Sequence, residues 1–191
     1  MRPYSAAEIR GTYATLLLPI REDDSIDFGL LRAQVEYFVD AKVDGVYSNG
    51  TAGEFYTESE EEFVAVNHLL AELCKRAGIP FQVGASFPTA QLSLQRIRRA
   101  VEFLPSAIQI VLPDWWPPTL EEALLFLERA AEAAAGVPLV LYNPPHAKRG
   151  LRPEEYDVVC ERIPAVVGIK TGAGGSDWYD AMQPRMQQLS V

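Results

Sequence analysis

Pro138 to Lys170 reads PLVLYNPPHAKRGLRPEEYDVVCERIPAVVGIK. It opens on one apolar run, PLVLY at 138–142, and closes on another, AVVGIK at 165–170. Both are apolar on consecutive residues rather than on alternate ones, so both faces of each strand are expected to be buried, as in a parallel sheet. Pro144 and Pro145 stop the first run, because proline cannot donate to a strand ladder. The stretch between, Pro153–Ile163, has helical periodicity. The segment is therefore one strand–helix–strand unit.

Working outward, the same unit recurs. Apolar runs at Tyr13–Leu18, Val43–Ser48, Pro80–Ala85 and Ala107–Leu112 precede the two above. Helical patterns follow each of the six, at Asp27–Ala41, Thr57–Ala77, Ala90–Phe103, Leu120–Ala135, Pro153–Ile163 and Asp177–Leu189. Strands alternating with long helices predict an α/β fold of parallel βα units. Thr57-Glu58-Ser59-Glu60 reads as a capping box opening the second helix, and Glu58, Glu60, Glu61 and Glu62 as acids complementing its dipole. Gly78 and Gly136 suit helix C-termini.

Two architectures accommodate six such units. Length favours an open, doubly wound sheet, since an eight-stranded barrel usually takes about 250 residues and this chain has 191. The motifs below favour a TIM (β/α)8 barrel with about six βα units present. Leu189-Ser190-Val191 reads as the start of a seventh strand. Residues 1–191 are thus expected to form a single barrel domain truncated before strand seven, with its first and sixth strands left as edges.

Composition narrows the function classes. The chain is 48% hydrophobic and 23% charged, which suits a folded domain with a sizeable core. Seventeen basic against 26 acidic residues give a net charge of −9, which argues against nucleic acid or an anionic membrane as partner. No apolar run reaches the ~18 residues of a membrane span, and MRPYSAAEIR lacks the apolar core of a signal peptide. Cys74 and Cys160 read as reduced thiols, so a cytoplasmic setting is expected.

In either architecture function sits beyond the C-terminal ends of the strands. After the second comes Ser48-Asn49-Gly50-Thr51-Ala52-Gly53-Glu54, a tight loop that can offer N–H groups and a hydroxyl to an anion; an ordinary turn is the plainer reading. The fifth ends on Tyr142, a proton-transfer candidate or an amphipathic rim residue. The sixth ends on Lys170. Strand periodicity puts Lys170 on the side of Gly168 and Val166, where Gly168 leaves room beside it. A desolvated lysine there becomes a usable amine nucleophile; the alternative is a lysine that snorkels to water. His146, just past Tyr142, is a candidate for substrate contact, and Gly172-Ala173-Gly174-Gly175 reads as a mobile βα loop.

Gly50-Thr51-Ala52-Gly53-Glu54, Tyr142-Asn143-Pro144-Pro145 and Gly168-Ile169-Lys170, in this order and spacing, resemble the dihydrodipicolinate synthase / N-acetylneuraminate lyase family. Gly11–Pro19 and Gly84–Arg99 extend the resemblance over nearly the whole chain. It implies a TIM barrel, usually a homotetramer, with no metal or organic cofactor. It implies Lys170 as the residue forming a Schiff base with pyruvate or another 2-oxo acid, and Tyr142 as general acid/base. Thr51 and the backbone at Ala52, next to Gly50, would clamp the substrate carboxylate.

Three positions depart from the synthases. Ala52 replaces a second hydroxyl, Trp115 stands where a relay tyrosine would be, and Ala147 stands where an arginine binds the second substrate's carboxylate. Imine formation survives these changes, whereas synthesis of dihydrodipicolinate is not expected. The chain is thus read as a Schiff-base aldolase, lyase or dehydratase, with Trp115 and His146 near its substrate. A metal-dependent pyruvate aldolase on a similar barrel and a non-catalytic 2-oxo acid binder or scaffold are the alternatives.

Overall fold

The computed structural model describes residues 1–172 and 175–191. Ala173 and Gly174, at the centre of the expected mobile loop, lie outside the described residues. Six strands form one sheet: β1 (Tyr13–Thr15), β2 (Gly45–Tyr47), β3 (Phe81–Gly84), β4 (Ala107–Val111), β5 (Leu139–Asn143) and β6 (Val166–Thr171). Every neighbouring pair is parallel. The helices are α1 (Phe28–Asp40), α2 (Glu60–Ala77), α3 (Ala90–Glu102), α4 (Leu120–Ala133), α5 (Glu155–Arg162) and α6 (Ser176–Met182).

Strand order decides between the two architectures. A doubly wound sheet reverses its order at a switch point. Here the order is β1-β2-β3-β4-β5-β6 without reversal, so the sheet winds one way, as a barrel does. Curvature follows from one contact. In a flat sheet β2 and β6 would lie about 19 Å apart, four strand spacings. Yet Lys170 Nζ at the end of β6 donates to the Tyr47 hydroxyl at the end of β2, at 3.0 Å. The sheet must curl until these strands face each other across its interior. The fold is an open part of a TIM barrel, with the helices outside and the core between sheet and helices.

Several boundaries shift for local reasons. The β1 ladder stops at Thr15 rather than Leu18, because Gln34 of α1 takes over the backbone of Leu17. Gln34 Oε1 accepts the Leu17 N–H at 2.8 Å, and its Nε2 donates to the Leu17 carbonyl at 3.2 Å. Helix α2 begins at Glu60, not Thr57: its capping box is Ser59 with Glu62. Glu58 therefore lies outside the helix and is buried, unlike the solvated acid the sequence pattern suggests. Helix α6 stops at Met182, where Pro184 can supply no N–H for another turn.

The two edges are not alike. Ser190 bridges to Gly168 in parallel: the Ile169 N–H donates to Ser190 O at 2.7 Å, and the Ser190 N–H donates to Val167 O at 2.9 Å. Ser190 also donates its hydroxyl to Ile9 O at 3.0 Å. The expected bare edge on β6 is thus covered over its first half.

Candidate active site

Lys170 and Tyr142 are direct partners in the β5–β6 ladder. Lys170 Nζ sits 4.2 Å from the centre of the Tyr142 ring and 4.1 Å from that of Tyr47. The amine is thus bracketed by two aromatic faces and hydrogen-bonded to the Tyr47 hydroxyl. Thr15 of β1 donates to the same hydroxyl. β2, β5 and β6 thus meet at one nitrogen, with β1 bracing the Tyr47 hydroxyl. The amine opens onto a cavity of about 480 Å³ inside the curled sheet, whose walls include Tyr13, Gln82, Gln109 and Gly168.

The glycine that makes room for the lysine is not the one the strand pattern suggests. A Cβ on Gly168 would meet Ile9 Cδ1 at 3.2 Å, not the lysine. The β5–β6 register also passes from Leu139↔Val166 to Val140↔Gly168, which breaks the alternation at Val167. Gly50 is the residue opposite the amine: its Cβ would lie 2.8 Å from Tyr47 Cε2 and 3.7 Å from Lys170 Nζ. A side chain at 50 would push into the tyrosine that holds the lysine.

Thr51–Gly53 forms a single 3-10 turn. Its first N–H groups, at Thr51 and Ala52, have no partner within the turn. The Thr51 hydroxyl is buried with no hydrogen-bond partner, so it is available to a ligand. Gly84 lets this loop lie on β3, since a Cβ there would stand 2.4 Å from the Asn49 carbonyl oxygen.

A buried polar chain fixes the loop from behind. Ser48 donates to Asn67 Oδ1 at 2.5 Å, Asn67 donates to Asn49 Oδ1 at 2.8 Å, and Asn49 donates to Glu58. Glu58 is 6% exposed. Burial pushes its carboxyl up to about 8, against the opposing pull of the Arg96 charge. Arg96 itself is 0% exposed. It donates to Phe55 O at 2.8 Å, Glu58 O at 3.0 Å, Ser86 O at 3.2 Å and Glu60 Oε1 at 2.8 Å. Its guanidinium lies between Phe63 and Phe87, 5.0 and 4.8 Å from the ring centres. One α3 side chain thereby ties the loops after β2 and β3 together.

Of the residues expected at the site, Lys170, Tyr142 and Gly50 converge, with Thr51 next to Gly50 in the chain. Ala52 is exposed beside them. His146 lines a second cavity, of about 270 Å³, together with Thr51. Trp115 lines neither cavity; it is 77% exposed, and its carbonyl accepts from Lys148 Nζ at 2.7 Å. Tyr47, Arg96 and the Asn49–Asn67–Glu58 chain were not anticipated. Tyr47 had the same signal as Tyr142, a tyrosine ending a core strand. Arg96 had none, because an arginine in an amphipathic helix reads as solvated.

No helix among the described residues is long and apolar enough to cross a membrane, and no three of their His, Cys, Asp or Glu side chains converge as a metal site.

Comparison with known proteins identifies the family. A 4-hydroxy-tetrahydrodipicolinate synthase of Sorangium cellulosum is 31% identical over 175 residues, covering 89% of this chain and 56% of the relative. An N-acetylneuraminate lyase of Escherichia coli is 30% identical over 184 residues, covering 95% of this chain and 60% of the relative. A Clostridium difficile protein solved in complex with mannosamine shares the fold with a TM-score of 0.88 at 18% identity, over 95% of this chain and 62% of that one. The chain thus spans little more than half the length of the curated relatives it matches. The profile of the dihydrodipicolinate synthetase family matches residues 8–189, and the chain belongs to that family.

Proposed function

We propose that this chain carries the imine-forming site of a lyase acting on pyruvate or another 2-oxo acid. The observation that carries the reading is the Lys170 amine, held at the barrel mouth between the Tyr47 hydroxyl and the Tyr142 ring. An amine with no carboxylate ion-pair partner among the described residues is suited to act as a nucleophile rather than as half of an ion pair.

The chemistry follows from that placement. Nζ, in its neutral form, bonds to the keto carbon. The keto oxygen takes one proton from the amine and one from the Tyr142 phenol, then leaves as water. A protonated imine and a phenolate remain. The Thr51 hydroxyl and the N–H at Ala52 hold the substrate carboxylate, within reach because Gly50 has no side chain. The cationic imine then draws in the electron pair of the C3–C4 bond while the C4 hydroxyl gives its proton to the phenolate. An aldehyde departs and an enamine remains. The enamine takes the proton back at C3, and water hydrolyses the imine. The reverse sequence is condensation. Tyr47 positions the amine throughout, and His146 stands on the rim where the aldehyde leaves. A cytoplasmic homo-oligomer acting without metal or organic cofactor belongs to the same proposal.

The test is trapping with borohydride in the presence of pyruvate, followed by peptide mass spectrometry. The adduct is expected on Lys170. Lys170→Ala and Lys170→Arg should lose both adduct and turnover, since a guanidinium cannot serve as the amine. An adduct on another lysine, or turnover that persists in Lys170→Ala, overturns the assignment.

A further inference from the structure

The second cavity indicates what the aldehyde partner looks like. It is walled by the loops after β2, β3, β4 and β5. Phe55, Tyr56, Phe87, Pro88, Leu112 and Pro144 supply its apolar surface. Thr51 lines it, and Gly50, next to Thr51 in the chain, faces Lys170 Nζ. Pro144 lines it too, two residues beyond Tyr142.

The charges around it exclude an anionic partner. No lysine or arginine lines the cavity among the described residues. The two cations that follow Ala147 are committed elsewhere: Lys148 to the Trp115 carbonyl at 2.7 Å, and Arg149 to Glu155 at 2.7 Å. Arg96, behind the wall, already donates to three carbonyls and Glu60. The one ionisable acid in the lining is Asp114, which accepts the Lys148 backbone N–H at 2.8 Å and repels a second carboxylate. Among the described lining residues a carboxylate would meet no lysine or arginine, only His146 and the hydroxyls of Thr51 and Tyr56. A polyhydroxylated chain would have four polar side chains, Thr51, Tyr56, Asp114 and His146, to replace its water, against six apolar ones.

Shape and surface favour a ring. Phe55 and Tyr56 meet edge to face, with ring centres 5.5 Å apart, and Phe87 stands in the opposite loop. Aromatic rings stack favourably against such walls. A cavity of about 150 Å³ already holds benzene, so about 270 Å³ takes one substituted ring.

We infer that this cavity binds the aldehyde partner as a neutral, single-ring aromatic group, making the protein an aryl-aldehyde lyase rather than one for carboxylated or sugar aldehydes. This rests on the imine reading for its chemistry but not for its binding. Two measurements on the purified protein separate the two. In the first, saturation-transfer NMR compares benzyl alcohol, which cannot form an imine, with glycerol and succinate. Benzyl alcohol is expected to bind. Leu112→Trp, which fills the cavity, and Phe55→Ala, which removes a wall, should each weaken it about tenfold, with thermal melting used to confirm folding. In the second, pyruvate is supplied with benzaldehyde, glyceraldehyde or succinic semialdehyde. Benzaldehyde should be condensed with a kcat/KM at least about tenfold above the others. Binding of succinate or glycerol in place of benzyl alcohol, or preferential turnover of either polar aldehyde, overturns the inference. Failure of pyruvate to trap on Lys170 while benzyl alcohol still binds sinks the imine reading and leaves the aromatic site standing.

Discussion

The loop after β2 and the loop after β4 occupy equivalent places at the barrel mouth, and they are built in opposite ways. Residues 48–58 are held from three sides: Gly84 beneath, the Asn67–Asn49–Glu58 chain behind, and Arg96 at the far end. Residues 112–116 end on Trp115 and Trp116, which are 77% and 78% exposed. The first loop carries Gly50 opposite Lys170 Nζ, with Thr51 next in the chain. The second forms one wall of the aromatic cavity and carries its largest side chains outward. The buried polar support is concentrated behind the loop whose Gly50 faces Lys170.

The comparison breaks most readily at Arg96. Arg96→Ala removes the donor to three carbonyls, two of them buried, and leaves them without it. Unpaired buried acceptors and an emptied site between two phenyl rings should together destabilise the fold by about 3–5 kcal/mol. Urea denaturation measures this. A loss below ~1 kcal/mol would show that the loops after β2 and β3 are held by something else.

A smaller effect, with a pH signature, is expected at Glu58. Its carboxyl is raised by burial from 4.5 to about 8 in the folded chain. Between those values the folded state keeps a proton that the unfolded state has released, so stability falls as pH rises through the window and levels off above it. The fall should amount to a few kcal/mol. Glu58→Gln removes the titration, so its stability should change less between pH 5 and pH 8.5, leaving the variant relatively more stable at the alkaline end. Parallel pH profiles for wild type and variant would show that the buried carboxyl does not titrate in this range.

How much of this was legible in the sequence differs by region. The six strands follow from apolar runs too continuous to face water, and the order of the units is visible as their repetition. Winding direction is not, because periodicity says nothing about which strand lies beside which. The positions of Lys170, Tyr142 and Thr51, where a strand ends or a loop begins, were legible. Tyr47 was equally placed, but its role depends on curvature that brings β2 opposite β6. Glu58 and Arg96 were misleading for a physical reason. Charged residues near helix starts and on helix faces are ordinarily solvated, and only the tertiary packing shows that these two are buried.

The smallest effect should come from the loop after β4. Trp115 touches Lys148, whose Nζ lies 5.5 Å from its ring centre, but the bond between them uses the Trp115 carbonyl, which any residue provides. Trp115→Ala keeps that carbonyl and removes an exposed ring. A surface change of this kind is worth about 0.5 kcal/mol or less, a melting shift of ~2 °C at most for a domain of this size. Pyruvate trapping on Lys170 should be unchanged, because the ring borders neither cavity. Differential scanning calorimetry together with the trapping assay reads both quantities. If trapping weakens tenfold without a change in melting, the ring folds over the mouth during the reaction. The second loop would then belong with the first, as part of the machinery rather than as its outer wall.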